Sequence, residues 1–279
     1  PYPASSTGRR AALARWITDP NNPLTARVAV NHLWNRHFGQ ALVPSLFDFG
    51  RKGQAPSHPE LLDTLAVELM ERNWSLRHLH RLIVTSRVYR LDSSASQPAE
   101  QGKDPENKLL WRFPSHRVEA QVVRDGLLHL AGTLDLTRGG PPVPVADSSS
   151  RRRSLYYFHS HNEHQKFLEQ FDDAGVLECY RRERSIVPQQ ALALTHAALS
   201  LEAAAAIAAR LSRPGMSDNR FIEEAHLVLL ARPADAAERE LCAGALRDLR
   251  AENGQAPPER ARALMVLALL NHHDFLTRR

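Results

Sequence analysis

Three histidines and a glutamate crowd into one short stretch of the chain, and imidazole and carboxylate groups are the side chains that bind zinc. His159, His161 and His164 lie in the segment RRRSLYYFHSHNEH, with Glu163 as a further oxygen donor. The pattern LYYFHSH predicts a strand, in which alternate residues share a face. The sequence therefore predicts a candidate metal site at these three histidines. No fourth ligand is identifiable by spacing, and packed or exposed histidines are the alternative.

A second group combines arginines with an acid. Arg117, Arg124 and Asp125 lie in HRVEAQVVRDG, a helical pattern, and Arg153 or Arg184 could meet them from elsewhere in the fold. Arginine binds carboxylate, sulfate or phosphate through two parallel N–H groups. Such a cluster would either hold a carboxylate-like ligand or brace helices against each other. The pattern favours bracing and leaves all five as candidate ligand-binding residues.

A third candidate site lies on an earlier helix. Arg27, Asn31 and Asn35 are four residues apart and therefore share one helical face. We predict Arg27 and Asn31 as ligand-binding residues. His32 and His37 are five apart, which points them in different directions and disfavours a metal site within this helix.

Most other polar residues match the signals that begin and end helices. Such signals occur along much of the chain, at Gly39, at Ser57 with Glu60, at Ser75, at Gly132, at Ser217 and at Asp235 with Glu238. The sequence predicts a mostly α fold, an orthogonal or antiparallel multi-helix bundle with at most a short β element near residues 153–160. Residues 1–279 form one large domain or two packed lobes, and TRGGPPVPVADSSS, residues 137–150, is the candidate lobe boundary.

Composition excludes several classes of protein. Among 279 residues, 43% are hydrophobic and 24% charged, and no apolar run reaches the length of about eighteen residues that a membrane span needs. The net charge of +5 is carried almost entirely by arginine, which suits an acidic partner but is modest for nucleic acid. Two cysteines are too few for a disulfide framework and form no haem-attachment motif. Nucleophile-elbow, P-loop, dinucleotide-binding and HExxH motifs are absent.

Several motifs in order resemble one known family. NPLTARVAVNHLWNRHFGQALV, DFGRKGQAPSHPELLDTLA, WSLRHLHRLIVTSRVYR, DPENKLLWR, RRRSLYYF and RRERSIVPQQALAL together are similar to the planctomycete-type C-terminal domain of unknown function. Members commonly follow a second uncharacterised domain and a cytochrome-c-like domain in exported proteins. Gln121 stands where that family often has glutamate, so an acid role at this position is in doubt. The resemblance supplies no catalytic residue.

The resemblance implies a periplasmic or extracellular location, upstream domains of the same polypeptide as partners, and haem in a neighbouring domain with no cofactor in this chain. The opening PYPASSTGRR begins with Pro1 and lacks a signal-like apolar segment, so we expect a fragment of a longer protein. The leading hypothesis is a helical module for interdomain packing that also binds acidic polysaccharide. The alternative is an extracellular oxidoreductase or hydrolase of polysaccharide breakdown with an Arg/Asp/His cleft. Nucleic acid is not expected as a partner.

Overall fold

The computed structural model describes residues 6–94, 97–177, 185–252 and 258–278. It confirms a mostly α-helical protein, and the described chain divides into two compact units. The first ends at His116 and the second runs from Arg117 to Arg278. The division therefore lies before the glycine- and proline-rich segment 137–150, which belongs to the second unit. That segment is tied to its own unit because Val143 exchanges backbone hydrogen bonds with Tyr156 and Phe158.

The described part of the first unit contains five helices. They are α1 (Arg9–Thr18), α2 (Thr25–Phe38), α3 (Pro59–Glu71), α4 (Leu76–Thr85) and α5 (Pro98–Lys103), with a 3-10 turn at Val88–Arg90. The α2 helix packs on α3, and their apolar faces form a core around Val30, Phe38 and Leu69. As predicted, α2 ends at Gly39, whose φ of 68° is the left-handed conformation that glycine adopts without strain.

The start of α3 differs from the prediction. The cap residue is His58, whose side chain makes no capping hydrogen bond, and the helix begins at Pro59. Ser57 was predicted as the cap, but its amide and its hydroxyl both donate to the Leu42 carbonyl oxygen, at 2.8 and 3.3 Å. The serine therefore closes the preceding loop. By contrast, Ser75 caps α4 as predicted by accepting a hydrogen bond from the His78 amide.

The second unit contains the remaining helices. They are α6 (Ala120–Ala131), α7 (Lys166–Glu169), α8 (Pro188–His196), α9 (Ala198–Leu211), α10 (Asp218–Leu230), α11 (Ala236–Glu252) and α12 (Pro258–Leu270), with 3-10 turns at Ser154–Tyr156 and His273–Phe275. Two short strands, β1 (His116–Arg117) and β2 (Thr277–Arg278), form a small sheet. Next to them the Val118 amide donates to the Leu276 carbonyl oxygen at 3.0 Å.

The α9 helix is central to this unit because both α12 and α6 pack on it. Ile207 of α9, Leu127 of α6 and Val266 of α12 are buried in one apolar core. The predicted capping box opens α11, because the Glu238 amide donates to the Asp235 carboxylate at 2.8 Å and the Asp235 amide donates back to Glu238 at 2.8 Å. The packing holds α6 in place, with one of its faces turned away from the core.

The segment 153–160 forms no regular strand. Ser154–Tyr156 form the 3-10 turn, and among the described residues the only pairing beyond it is a single parallel bridge between Val143 and Tyr157. The contact responsible is a tertiary one, because the Ser154 amide and hydroxyl both donate to the carboxylate of Asp125, 29 residues earlier in the chain, at 2.8 and 2.6 Å. These bonds hold Ser154 in the 3-10 turn that interrupts the predicted strand.

Within the described ranges, no single helix combines the length and apolar composition needed to cross a membrane. The α8 and α9 helices meet those two criteria only as a pair bent by 56°.

Candidate functional site

An open cleft of about 740 Å³ lies in the second unit, along the face of α6 that the core leaves uncovered. Gln121, Asp125 and His129 line it from α6. Their spacing of four residues places them on one stripe of the helix. Gly126 lies beside this stripe, and a Cβ built on it meets no atom within 4 Å. A side chain at this position would therefore extend into open space.

A second wall comes from residues 153–165. It contributes the polar side chains of Arg153, His159, Glu163 and His164, and apolar residues such as Leu155 and Phe158 lie between them in sequence. The described lining holds the carboxylates of Glu119, Asp125, Glu163 and Asp173 but only one guanidinium, that of Arg153. With neutral histidines the site is acidic. Its volume lies within the range of about 300–1,000 Å³ that is typical of small-molecule pockets.

Asp125 joins the two walls. Besides its two hydrogen bonds from Ser154, its carboxylate lies 3.7 Å from the Arg153 Nε atom. The Arg153 side chain is 50% exposed and the Asp125 side chain 17% exposed, so this ion pair lies at the edge of the cleft. The carboxylate is thus held in one orientation before any ligand binds.

Arg124 was predicted to bind a ligand beside Asp125, but its side chain points into the protein. The residue is fully buried, and its guanidinium donates to the Arg152 carbonyl oxygen at 2.9 Å, the Ser150 carbonyl oxygen and the Tyr157 hydroxyl at 3.1 Å. Burial lowers the pKa of Arg124 and raises that of Tyr157. Of the two predicted roles for this arginine, the contacts match bracing, because it fixes the loop that forms the far wall of the cleft.

Gln121 contributes a hydrogen-bond acceptor to the cleft. Its amide nitrogen donates to the Asp173 carboxylate, whereas its buried Oε1 atom has no hydrogen-bond partner among the described residues. A buried polar atom without a partner is costly, and it is satisfied when a ligand or water supplies the donor. The acceptor surplus of the cleft therefore calls for a ligand rich in O–H or N–H groups.

The predicted metal site does not assemble in this structure. Among the described residues, no group of three or more His, Cys, Asp or Glu side chains is placed to hold a metal ion. His159 and His164 line the cleft. The Nε2 atom of the His164 ring also lies 3.2 Å from the His161 carbonyl oxygen. The prediction assumed a strand that would align the histidines, but the described residues 158–164 form no strand.

The other predicted residues take part in contacts inside their own units. In the first unit, Arg27 donates to the Asp63 carboxylate at 2.6 Å, and buried Asn31 exchanges two hydrogen bonds with the Val43 backbone, at 3.0 and 2.8 Å. In the second unit, Arg117 donates to the Gln190 side chain at 2.7 Å. Arg184 lies outside the described residues. Arg27, Asn31 and Arg117 thus each have a hydrogen-bond partner inside their own unit.

Gln121, His129 and Asp173 line the cleft without having been predicted as site residues, whereas Glu163 was named beside the three histidines. A sequence signal existed for two of them, because Gln121 and His129 flank Asp125 at the helical spacing of four residues. No local pattern indicated Asp173, which reaches the cleft only through tertiary packing.

The fold and the cleft define a mostly α-helical protein with a ligand-sized acidic site on one of its two units. The chain belongs to the family PSD1, protein of unknown function (DUF1553), whose model matches residues 9–246. No curated protein and no solved structure matches the chain.

Proposed function

We propose that the second unit binds a carbohydrate, or a similar polyhydroxylated molecule, in the acidic cleft, and that the chain is a recognition module of a larger protein. The observation that carries this proposal is the surplus of acceptors. Within the part of the chain that the structure describes, four carboxylates and the Gln121 Oε1 atom, which has no hydrogen-bond partner there, line a single cleft. Sugar hydroxyls donate hydrogen bonds to such groups, and bonds to carboxylates are the stronger kind.

The apolar part of the lining supports the same class of ligand. Val122, Leu155 and Phe158 line the cleft and are exposed by 53%, 55% and 45%. A sugar ring has a polar rim and faces of C–H groups, which pack on exposed aliphatic and aromatic side chains. A cleft with both polar and apolar lining suits a ligand whose single ring has a polar rim and apolar faces.

The charge of the cleft selects among carbohydrates. An acidic polysaccharide, the ligand expected from the arginine excess, would face four carboxylates and one arginine here. Like charges at short range disfavour binding, whereas an ammonium group would be attracted. The proposal therefore specifies neutral or amine-bearing sugars for this cleft.

The test adds a side chain to the cleft at a glycine of its lining, where the new side chain meets open space. Gly126→Leu places a side chain in open space on α6, and Gly244→Leu makes the same change on α11, where the nearest atom to the new Cβ is 3.8 Å away. Titration calorimetry with neutral, amino and uronic oligosaccharides is the assay. We expect neutral or amino sugars to bind, and Gly126→Leu alone to weaken binding by at least about tenfold, the equivalent of one lost favourable contact.

Two results would contradict the proposal. One is the absence of saturable binding by every sugar in the panel. The other is binding that Gly126→Leu leaves equal to the Gly244→Leu control, since the ligand would then occupy some other place.

A hydrolytic or redox role in polysaccharide breakdown is the second candidate. The observation that favours it is the position of Asp125 and His129, one helical turn apart on α6. His159 lines the same cleft. A carboxylate and an imidazole are the usual partners in general acid–base catalysis. Release of reducing ends from the sugars that bind, abolished by His129→Gln with binding retained, would support this role. Binding without any turnover would reject it.

The wider setting is a proposal from the sequence resemblance. We propose that the chain packs against upstream domains of an exported polypeptide in which a neighbouring domain carries haem. Isolation of the full-length protein from periplasmic or extracellular fractions, with a haem absorption spectrum, is the expected result. A full-length polypeptide without haem in the cytoplasm would contradict it.

A further inference from the structure

A second cleft in the second unit has the opposite charge. It has a volume of about 670 Å³ and shares only Gln165 with the lining of the acidic cleft. Among the described residues, its charged lining consists of Arg124, Arg151 and Lys166 and one carboxylate, that of Glu202. We call it the cationic cleft. Together with the buried charge of Arg124, the charges of Arg151 and Lys166 outweigh this carboxylate and create a positive potential in a concave site, where water screens charge less effectively.

Arg124 supplies a buried positive charge to its wall. All the hydrogen bonds of its guanidinium, within the described residues, go to neutral carbonyl and hydroxyl oxygens. The nearest carboxylate is that of Asp125 at 3.7 Å. A buried charge without a hydrogen-bonded counter-ion is costly, and an anion nearby reduces that cost. Burial, and to a lesser extent the repulsion from Arg151, lowers the pKa of Arg124.

The other two cations remain accessible to a ligand. Lys166 forms no ion pair in the part of the chain that the structure describes, and it is exposed at the start of α7. Arg151 contacts Glu202 at 2.6 Å, and these side chains are 38% and 59% exposed. Exposed ion pairs contribute little to stability, so Arg151 can exchange this partner for a ligand anion at small cost.

Uncharged groups complete the cleft. Ala198 and Leu199 line it at the start of α9, a helix whose N-terminus has no side-chain cap. The amides of Ala198 and Leu199 precede the first hydrogen bonds of the helix, which begin with the Ser200 and Leu201 amides, so they add donors to the side-chain cations. Phe167 and Leu192 contribute apolar surface. The lining therefore fits a molecule with an anionic group and an apolar body.

We propose that the cationic cleft binds a small organic anion, with its carboxylate, sulfate or phosphate group at Arg151 and Lys166 and its apolar part against Phe167 and Leu192. This site is separate from the acidic cleft, and the proposal for either cleft can be refuted without affecting the other.

The experiment uses three probes that share a phenyl ring and differ in the anion, namely benzoate, phenyl sulfate and phenyl phosphate, with benzyl alcohol as the uncharged analogue. Ligand-observed NMR and calorimetry, at low and at high ionic strength, give the dissociation constants. The key variants are Lys166→Gln and Arg151→Gln. Lys52→Gln is the matched control, since Lys52 is an exposed lysine of the first unit with the same charge change.

We expect at least one anionic probe to bind more tightly than benzyl alcohol, with the preferred probe identifying the anion. Lys166→Gln should weaken that binding by about tenfold, the effect of one charge-assisted contact. Lys166→Arg and Lys52→Gln should leave it within about twofold, a difference smaller than one weak contact. High salt should weaken it as well.

Three outcomes would overturn the proposal. The first is no saturable binding of any anionic probe. The second is equal binding by Lys166→Gln, Arg151→Gln and Lys52→Gln. The third is loss of anion binding in Gly126→Leu, which would place the probe in the acidic cleft instead.

Discussion

Replacing Arg124 with methionine tests whether this buried arginine braces the second unit. Methionine has a similar length but cannot donate hydrogen bonds. The change removes donors from the Ser150 and Arg152 carbonyl oxygens and from the hydroxyls of Ser154 and Tyr157. These acceptors lie where water does not readily replace the lost partner, since Arg124 is fully buried.

The magnitude follows from these contacts. A hydrogen bond to a charged group contributes about 1.5–3 kcal/mol, and a buried acceptor left without a donor costs about 1–3 kcal/mol. Removing a buried charge also ends its desolvation cost, and the methionine recovers some packing, so the losses do not add. We expect the free energy of unfolding to fall by about 3–5 kcal/mol, as for other broken buried charge networks. For a unit of this size the melting temperature should fall by about 10 °C.

Urea unfolding followed by circular dichroism measures the loss of helix. Tryptophan fluorescence, recorded in parallel, reports on the first unit, because all four tryptophans lie before residue 117. The control is Arg153→Met, since Arg153 is half exposed and has one ion pair at 3.7 Å. That change should cost no more than about 0.5 kcal/mol. If Arg124→Met were as stable as Arg153→Met, the bracing role would be refuted.

Three further changes test other parts of the structure. Asn31→Ala removes both hydrogen bonds to the Val43 backbone and should destabilise the first unit by about 2–3 kcal/mol, measured by tryptophan fluorescence in urea; a loss below about 0.5 kcal/mol would contradict this. Gly126→Ala should raise stability by about 0.5–1 kcal/mol, because alanine loses less backbone entropy in a helix and its Cβ meets open space; a lower melting temperature would count against it. Glu238 has its pKa lowered from 4.5 to about 2, chiefly by hydrogen bonding to Arg232. A depressed pKa adds stability above pH 4.5 that is lost as the pH falls towards about 2, so Glu238→Gln should flatten the pH dependence of the melting temperature in that window. If the melting temperature of Glu238→Gln fell below pH 4.5 as steeply as that of the unsubstituted protein, this reasoning would be contradicted.

Much of the helical architecture was predictable because its signals are local. The end of α2 at Gly39, the Ser75 cap and the Asp235–Glu238 capping box depend on residues within one turn of each helix end. Ser57 shows the limit of this logic. It has the sequence of a cap, but its hydrogen bonds go to Leu42, fifteen residues earlier. A residue so distant along the chain leaves no periodic signal.

The candidate site was only partly predictable for the same reason. Asp125, Arg153, His159 and His164 were selected from sequence and do line one cleft, whereas the Asp173 carboxylate reaches it only through packing. Arg124 and Asp125 are neighbours in sequence, but one points into the protein and the other into the cleft. Which residue faces which way depends on where α9 packs on α6.

The sequence by itself determined the helical class, most helix ends and the chemical types of the residues that could bind a ligand, because these follow from composition and short-range periodicity. Tertiary structure alone decided that the histidines are not aligned as a metal site and that carboxylates outnumber arginines in the acidic cleft. The physical reason is that the charge and geometry of a site are sums over residues far apart in sequence, and packing alone brings those residues together.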